Sequence, residues 1–344
     1  MPRTLMATAP LVKDGVQVDV SIAIVSWNAS QFLGPCLRSV YCNAQDNRLE
    51  VLVIDNASVD GSADLVEEEF PDVTVVRNDS NVGFARATNQ AIRLSHGRYV
   101  LLLNPDTVLP PLAIQTMIDF LEQHPRVAAV GPRIVNSNGE TVESYSSFPG
   151  LTLALRGISI IATASFDCRL ESVDTKPKAV DWICGACMLV RREALDQVGL
   201  LDEEFFMYWE ETDLCWRFWR SGWEVYYLPN VCMVHHVGGS SSQAGDKIYL
   251  NGLLLNEWIN SAHRFLCKHY PLWSRVALAS VAGLSIVIAL IISPVVFVLI
   301  PSRRRQASSL LTMYLKAIVK QTRDVIRSLS GRKPRSLKAG QAPS

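Results

Sequence analysis

From residue 19 onward the chain alternates short, nearly continuous apolar runs with segments whose apolar positions recur every three or four residues. The apolar runs are VSIAIVSW (20–27), LEVLVIDN (49–56), VTVVRN (73–78) and GRYVLLLNPD (97–106). Each has strand length and ends in Asn, Asp or a polar turn, so each predicts a strand. Helical periodicity marks the segments between and after them, at 32–42, 62–69, 85–94 and 112–124. Strands that are apolar on both faces, with helices between them, predict a mostly parallel sheet covered on both sides. Such sheets bind ligands at the carboxyl ends of their strands.

After VAAVGPRIV (127–135) the pattern changes. Residues 136–139 predict a turn, 150–178 follow no regular period, and one long apolar strand is expected from Trp182 to Val190. An aromatic, acidic stretch follows, EEFFMYWEETDLCWRFWRSGW (203–223). Two further strands are expected, WEVYYLP (223–229) and VCMVHHV (231–237), and then an amphipathic helical region at 246–275 with Leu253, Leu254, Trp258, Phe265 and Leu266 apolar. No segment repeats another. The chain thus reads as an N-terminal extension (1–18), an α/β domain (19–245, in halves 19–133 and 134–245) and a helical C-terminal part.

Charge separates the C-terminal part further. Basic and acidic residues balance at 33 each, but residues 301–344 hold eleven Lys and Arg against one acid, Asp324. The tail therefore carries +10 and the first 300 residues −10. Between them, residues 276–300 run for 25 positions without a charge, enough for a membrane span, which needs about 20. Arg303, Arg304 and Arg305 favour the cytoplasmic side, and Pro294 offers a break, so the segment either spans the bilayer or re-enters it. Leu310, Leu311, Leu315, Ile318 and Val319 interleave with Lys316, Lys320, Arg323 and Arg327, a basic amphipathic pattern suited to anionic lipid. A basic tail directly after an apolar segment points to membrane and not to nucleic acid. The eight cysteines show no disulfide spacing, and Cys184 and Cys187 stand in an apolar run, ICGACMLV, that predicts small core residues. The N-terminus has no signal-peptide core. The expected location is the cytoplasmic face of the cell membrane.

Polar residues collect where the strands end. Ser26, Trp27 and Asn28 close the first strand without a GxGxxG phosphate loop, which argues against a dehydrogenase. Asp55 and Asn56 close the second, and Asp60 and Ser62 read as caps for the helix that follows. Asp55 precedes that turn and is placed to accept hydrogen bonds from a base or ribose. Asn81, Gly83 and Asn89 follow the third strand, and Asn104, Pro105 and Asp106 close the fourth. A carboxylate such as Asp106, together with diphosphate oxygens, holds Mg²⁺ well. Four polar strand ends in succession point to one nucleotide-diphosphate site. Further on, Glu210, Glu211 and Asp213 crowd among aromatic side chains, where carboxyls raise one another's pKa as a general base requires. His235 and His236 precede a Gly-Gly-Ser-Ser loop and are candidate metal ligands.

The order VSWN, VIDNASxDGS, NxGFAxxxNxA, LLLNPD, GACMLVRR and FFMYWEETDLCWR, over about 19–242, resembles the family 2 glycosyltransferases of GT-A fold, nearest to the rhamnosyltransferase-like branch of bacterial cell-surface polysaccharide synthesis. The resemblance implies a GT-A (Rossmann-like) fold, a nucleoside-diphosphate-sugar donor, Mg²⁺ or Mn²⁺, and inversion at the anomeric carbon during transfer to a lipid-linked or glycan acceptor. It places Ser26, Trp27, Asn28, Asp55 and Asn56 near base and ribose, and Asn81, Gly83 and Asn89 around the donor. Asn104-Pro105-Asp106 stands where the family carries Asp-x-Asp, so Asp106 is the expected metal ligand, with His235 or His236. Gly185 leaves room for the sugar. Glu211 holds the position of the family's base, with Glu210 and Asp213 as alternatives. Rhamnose is the first expectation for the donor sugar. Two other readings stand beside this one: an inactive nucleotide-sugar-binding membrane protein, motivated by Asn104, and a processive synthase, which normally has several spans and a Gln-x-x-Arg-Trp motif. The chain contains no Arg-Trp dipeptide.

Overall fold

The computed structural model describes residues 18–44, 48–142, 144–150, 175–236 and 247–276. They divide into two compact units, one of 18–146 with 175–258, the other of 147–150 with 259–276. In the first unit β1 (Val20–Ser26), β2 (Leu49–Asp55), β3 (Thr74–Arg77) and β4 (Tyr99–Leu103) pair in parallel in the order β3-β2-β1-β4. The helices α1 (Ser30–Tyr41), α2 (Ser62–Glu69), α3 (Phe84–Leu94) and α4 (Ala113–Gln123) lie within two residues of the positions their periodicity predicts.

Beyond β4 the sheet is mixed. The remaining strands are β5 (Thr107–Val108), β6 (Val127–Val135), β7 (Thr141–Val142), β8 (Tyr145–Ser146), β9 (Lys178–Ala179), β10 (Trp182–Ile183), β11 (Cys187–Arg191) and β12 (Glu224–His235). The path continues β4-β11-β6-β12-β5, with β11 antiparallel to both neighbours and β12 parallel to β6. Two expectations are corrected here. The apolar run 182–190 is not one strand: β10 pairs with β8 in a small separate sheet, β11 enters the main one, and Cys184, Gly185 and Ala186 make the crossing. Conversely, 223–229 and 231–237 do not form two strands but one, β12, whose register shifts between Leu228 and Cys232 around Pro229, a residue with no amide to donate.

The main core lies on one face of the sheet, where Val20, Ile22, Ile24, Leu101 and Leu103 meet Leu33, Leu37 and Val40 of α1, Val66 of α2 and Ile114 and Met117 of α4. Asp60 caps the helix expected, taking the amide of Ser62 at the start of α2 on Oδ1 (3.1 Å), and with Ser62 it also caps a second one. Ser30 at the start of α1 donates its amide to Asp60 Oδ2 (2.9 Å), and the Ala29 amide reaches Ser62 Oγ (3.1 Å). Burial works against the Asp60 charge, but hydrogen bonds from Ser62 and Ser30 outweigh it and hold this carboxyl below its usual range. The helices α5 (Arg192–Val198), α6 (Glu210–Arg220) and α7 (Lys247–His269) complete the elements, α7 carrying residues of both units.

The segment between α5 and α6 is fastened to α3. Asn89 donates to the Leu201 carbonyl (2.8 Å) and to Glu203 Oε1 (3.1 Å), and accepts the Leu201 amide (3.1 Å). The Phe84 amide donates to the Phe206 carbonyl (2.7 Å). Gly83 makes that approach feasible: its φ is +90°, and a Cβ there would stand 2.6 Å from the Phe206 oxygen. In the second unit Phe148 stacks near Phe265, and the Tyr270 hydroxyl donates to the Pro149 carbonyl (2.7 Å). Among the described residues no helix is long and apolar enough to cross a membrane. The expected membrane segment 276–300, apart from Val276, and the basic tail 301–344 lie outside the described residues, as does the N-terminal extension apart from Val18.

Asn89→Ala removes three hydrogen bonds and strands the Leu201 amide and carbonyl, a loss on the order of 2–4 kcal/mol. Urea denaturation should show it, and Gly83→Ala should lower stability at least as much.

Candidate active site

Ser26 and Asp55 end adjacent parallel strands in direct register. Both are buried, and Ser26 Oγ and Asp55 Oδ1 have no hydrogen-bond partner, while Asp55 Oδ2 accepts the Ser58 amide (3.0 Å). A buried polar atom left unpaired costs about 1–3 kcal/mol. Two of them side by side at carboxyl strand ends mark a place that a polar ligand completes. The surrounding loops are braced. Asn28, at φ +50°, receives Val59's amide on Oδ1 and donates its own amide to Ser58 Oγ, both at 2.9 Å. Trp27 beside it is half-buried. Asn56 donates to Asn81 Oδ1 (3.0 Å) and accepts from Asn78 (3.1 Å) and the Val82 amide (3.2 Å), and Asn81 Oδ1 also takes the Gly83 amide (3.0 Å). The side chains of Asn56, Asn81 and Asn89 are thus engaged in holding loop 78–84 and segment 201–203, while Ser26 and Asp55 keep free valences.

At the end of β4 the Asn104 amide donates to the Ala186 carbonyl (2.9 Å), which ties the turn to the crossing between β10 and β11. The antiparallel register Thr107↔His235 then brings Asp106 beside the end of β12. Asp106 Oδ1 and His235 Nε2 lie 3.1 Å apart, and Asp106 is only 4% exposed. The His236 ring turns elsewhere, to Ser137 Oγ (2.9 Å) and against Phe32, although its amide donates to the Asp106 carbonyl (2.8 Å). Among the described residues no three His, Cys, Asp or Glu side chains converge as a metal cage. A carboxylate and an imidazole in contact nevertheless form a donor set that suits a divalent cation whose remaining ligands come from phosphate and water. The Gly-Gly-Ser-Ser loop at 238–241 lies outside the described residues.

The third group opens α6. Tyr208 (φ +67°) and Trp209 (φ +71°) are both left-handed, a strain of about 1–3 kcal/mol for each non-glycine residue. The turn they make delivers three acids into the first helical turn, and the structure treats them differently. Asp213 is fully buried and accepts Arg217 Nε (2.8 Å). The same guanidinium donates to the carbonyls of Val198, Gly199 and Leu200 at 2.7–2.9 Å, so the pair anchors the helix. Glu210 is buried and Glu211 partly exposed, and each has an Oε2 with no partner. Burial first, then the Glu211 charge, pushes the Glu210 carboxyl well above its usual range. Burial likewise pushes Glu211 up to about 7, against hydrogen bonds that favour its charged form. Gly185 faces Glu211, and a Cβ on it would touch the Glu211 Cβ at 3.6 Å.

Some participants carry no sequence signal. Glu257 of α7 is buried and adds its charge to the Glu210 environment, and the neighbouring Trp258 meets Trp209 edge-on at 5.5 Å. Only helix periodicity marks these positions in the sequence. Of the two neighbouring cysteines, Cys187 is buried, and burial drives the half-buried Cys184 thiol up to about 12.

Residues 21–199, just over half of the chain, match the model of glycosyl transferase family 2. The chain belongs to that family. This glycosyltransferase is 30% identical, over 219 residues, to the N-acetylglucosaminyl-diphospho-decaprenol L-rhamnosyltransferase of Mycobacterium tuberculosis, covering 58% of the present chain and 70% of the relative. It is 27% identical, over 258 residues, to the low-salt glycan biosynthesis hexosyltransferase Agl10 of Haloferax volcanii, covering 73% and 78%. Its fold is similar to that of the mannosyltransferase PcManGT of Pyrobaculum calidifontis, solved with GDP-Man and Mn²⁺, at a TM-score of 0.56 and 18% identity over 91% and 90% of the two chains. The glycosyltransferase therefore has a GT-A-like α/β fold, on which strand ends and the start of α6 supply the polar groups.

The raised carboxyls couple stability to pH. Glu211 binds its proton more tightly folded than unfolded, so it favours the fold below its ordinary 4.5, and this contribution is lost as pH rises through about 7. Glu211→Gln, which cannot ionise, should gain melting temperature over the parent at pH 8 and little at pH 5. An equal effect at both values would contradict a buried, raised carboxyl.

Proposed function

We propose that this glycosyltransferase inverts the anomeric centre of a nucleoside-diphosphate sugar while transferring it to a hydroxyl of a lipid-linked glycan, with Glu211 as base. The observation that carries the reading is the partly exposed, raised Glu211 carboxyl held against Gly185. A sugar hydroxyl does not ionise near neutrality, so a positioned base is needed for a single displacement. Glu211 has an unpartnered oxygen to take the proton. Glu210 is buried and its carboxyl is raised well above its usual range, so it resists ionisation and leaves the reactive charge to Glu211. Ser26 and Asp55 take the nucleoside through their unpaired atoms. Asp106 and His235 would hold a Mg²⁺ or Mn²⁺ ion, which when bound supplies Lewis-acid stabilisation of the leaving diphosphate.

The similarity to a rhamnosyltransferase makes L-rhamnose the first donor sugar to test, and the relative's name makes a sugar on a polyprenyl diphosphate the first acceptor. Attachment to the cytoplasmic face of the membrane belongs to the same reading. It is supported by the exposed Leu272, Trp273 and Val276 at the entrance to the uncharged stretch 276–300, and by the basic tail.

The test is transfer by the purified full chain from dTDP-rhamnose to such an acceptor. Glu211→Gln should lower kcat roughly 10²- to 10⁴-fold while leaving donor binding in place. A base must be unprotonated, so kcat/KM should climb with pH and level off above about 7, and the Gln variant should lose that limb. Asp106→Ala or chelation with EDTA should abolish turnover, with Mn²⁺ restoring only the chelated parent. Full activity of Glu211→Gln would remove it as the base.

A further inference from the structure

Cys267 belongs to the second unit and to nothing described for the active site. Among the described residues the exposed cysteines are Cys42 and Cys267, and Cys267 does not stand alone. It follows His263 by four residues on α7, a spacing that puts two side chains on one face of a helix. Its Sγ lies 3.6 Å from His263 Nε2 and 3.9 Å from Nδ1. Beyond the end of α7 the Arg275 amide donates to the Pro271 carbonyl (3.2 Å), closing one further turn. That turn brings Arg275 Nη1 to 2.9 Å from the same sulfur.

A thiol that receives hydrogen bonds from an imidazole and a guanidinium is favoured as its anion, the form that acts as nucleophile. The His263 hydrogen bond prevails over partial burial and, with the His263 charge and then Arg275, holds the Cys267 thiol below its usual range. Burial drives the thiols of Cys36, Cys184, Cys187 and Cys215 the opposite way. No carboxylate counters the effect, since 259–276 contain no Asp or Glu, while Arg264, Lys268 and His269 add only positive charge. The unit's other described segment, 147–150, has no titratable side chain. Arg275 also keeps a donor in reserve: its Nε is withdrawn from solvent and has no partner among the described residues. An unsatisfied guanidinium nitrogen beside a nucleophile favours an acceptor carried by whatever the sulfur captures.

We propose that Cys267 is a site of reversible thiolation, taking one half of an acidic low-molecular-weight disulfide into a mixed disulfide. The Cys267 thiolate attacks one sulfur of that disulfide, and the new S–S bond forms as the old one breaks. The displaced thiolate leaves with the electron pair and takes a proton from water. The incoming disulfide is thus the oxidant, and excess free thiol reverses the step. A carboxylate on the attached half pairs with Arg275. The site is independent of how glycosyl transfer proceeds.

The test exposes the full chain, at pH 6.5 where an ordinary thiol is about 1% ionised, to oxidised glutathione, which bears carboxylates, or to cystamine, which bears amines. Acid-quenched samples are mapped by peptide mass spectrometry, with Cys42 as the internal reference. In the parent the glutathione adduct should form at Cys267 at least about tenfold faster than at Cys42, because the thiolate fraction governs the rate. Dithiothreitol should remove it, and the advantage over Cys42 should be smaller with cystamine. Arg275→Gln should slow the glutathione reaction roughly three- to tenfold and remove its preference over cystamine, whereas Arg275→Lys should retain most of both. His263→Asn should slow the two reagents alike. Thermal melts check that each variant is folded, and the two Arg275 variants decide alone if His263→Asn is not. Equal rates at Cys42 and Cys267, Cys267 rates that neither Arg275→Gln nor a folded His263→Asn changes, or no preference for the acidic disulfide would overturn the proposal.

Discussion

The backbone hydrogen bond from Phe84 to Phe206 holds together two parts of the chain that are more than a hundred residues apart. It forms only because position 83 has no side chain, since any Cβ there would collide with the Phe206 carbonyl. Asn89 repeats the attachment one turn further along α3, satisfying both backbone groups of Leu201. Together these contacts fix the course of segment 201–209 after α5 and therefore where α6 begins. The two left-handed residues before α6 persist because both sides of the turn are fastened. If the fastening loosens, the acids lose their place over the strand ends.

The start of a helix ordinarily favours negative charge, by about 0.3–1 kcal/mol per carboxylate. At α6 that preference is outweighed. Asp213 is paired with Arg217, whereas Glu210 and Glu211 have no cation among the described residues; burial and then the Glu211 charge drive Glu210 upward, and burial drives Glu211 upward against the hydrogen bonds it accepts. Three acids in one turn are thereby sorted into an anchor, a neighbour raised well above its usual range and a carboxyl raised to about 7. The same logic of withheld partners applies at Ser26 and Asp55. The fold satisfies the asparagines around them thoroughly and leaves these few atoms unpaired.

Strand register does comparable work at the other end of the site. The short antiparallel pairing of β5 with β12 sets His235, rather than His236, against Asp106. Alternation along β12 allows only one of two successive side chains to face a given neighbour. Sequence proximity favours His235 without deciding between the two histidines, and a one-residue difference in register would exchange them.

Residues 20–123 were legible as a sequence because their structure is local. Apolar runs of strand length and 3.6-residue periodicity mark β1–β4 and α1–α4, and the polar strand ends follow from the parallel order. The clustering of Glu210, Glu211 and Asp213 was equally visible. What no local pattern holds is which groups meet. The break at Gly185, the joining of 224–235 into one strand, and the capping of α1 by Asp60 all depend on partners distant in the chain. The sorting of the acids depends on Gly185 and Glu257, which arrive from outside α6, as well as on Arg217 one turn along the same helix. Residue type and spacing thus determined the kind of chemistry available, because those are properties of neighbouring residues. Packing decided which carboxyl is raised and which polar atoms stay unpaired, because burial and long-range contacts exist only in the folded chain.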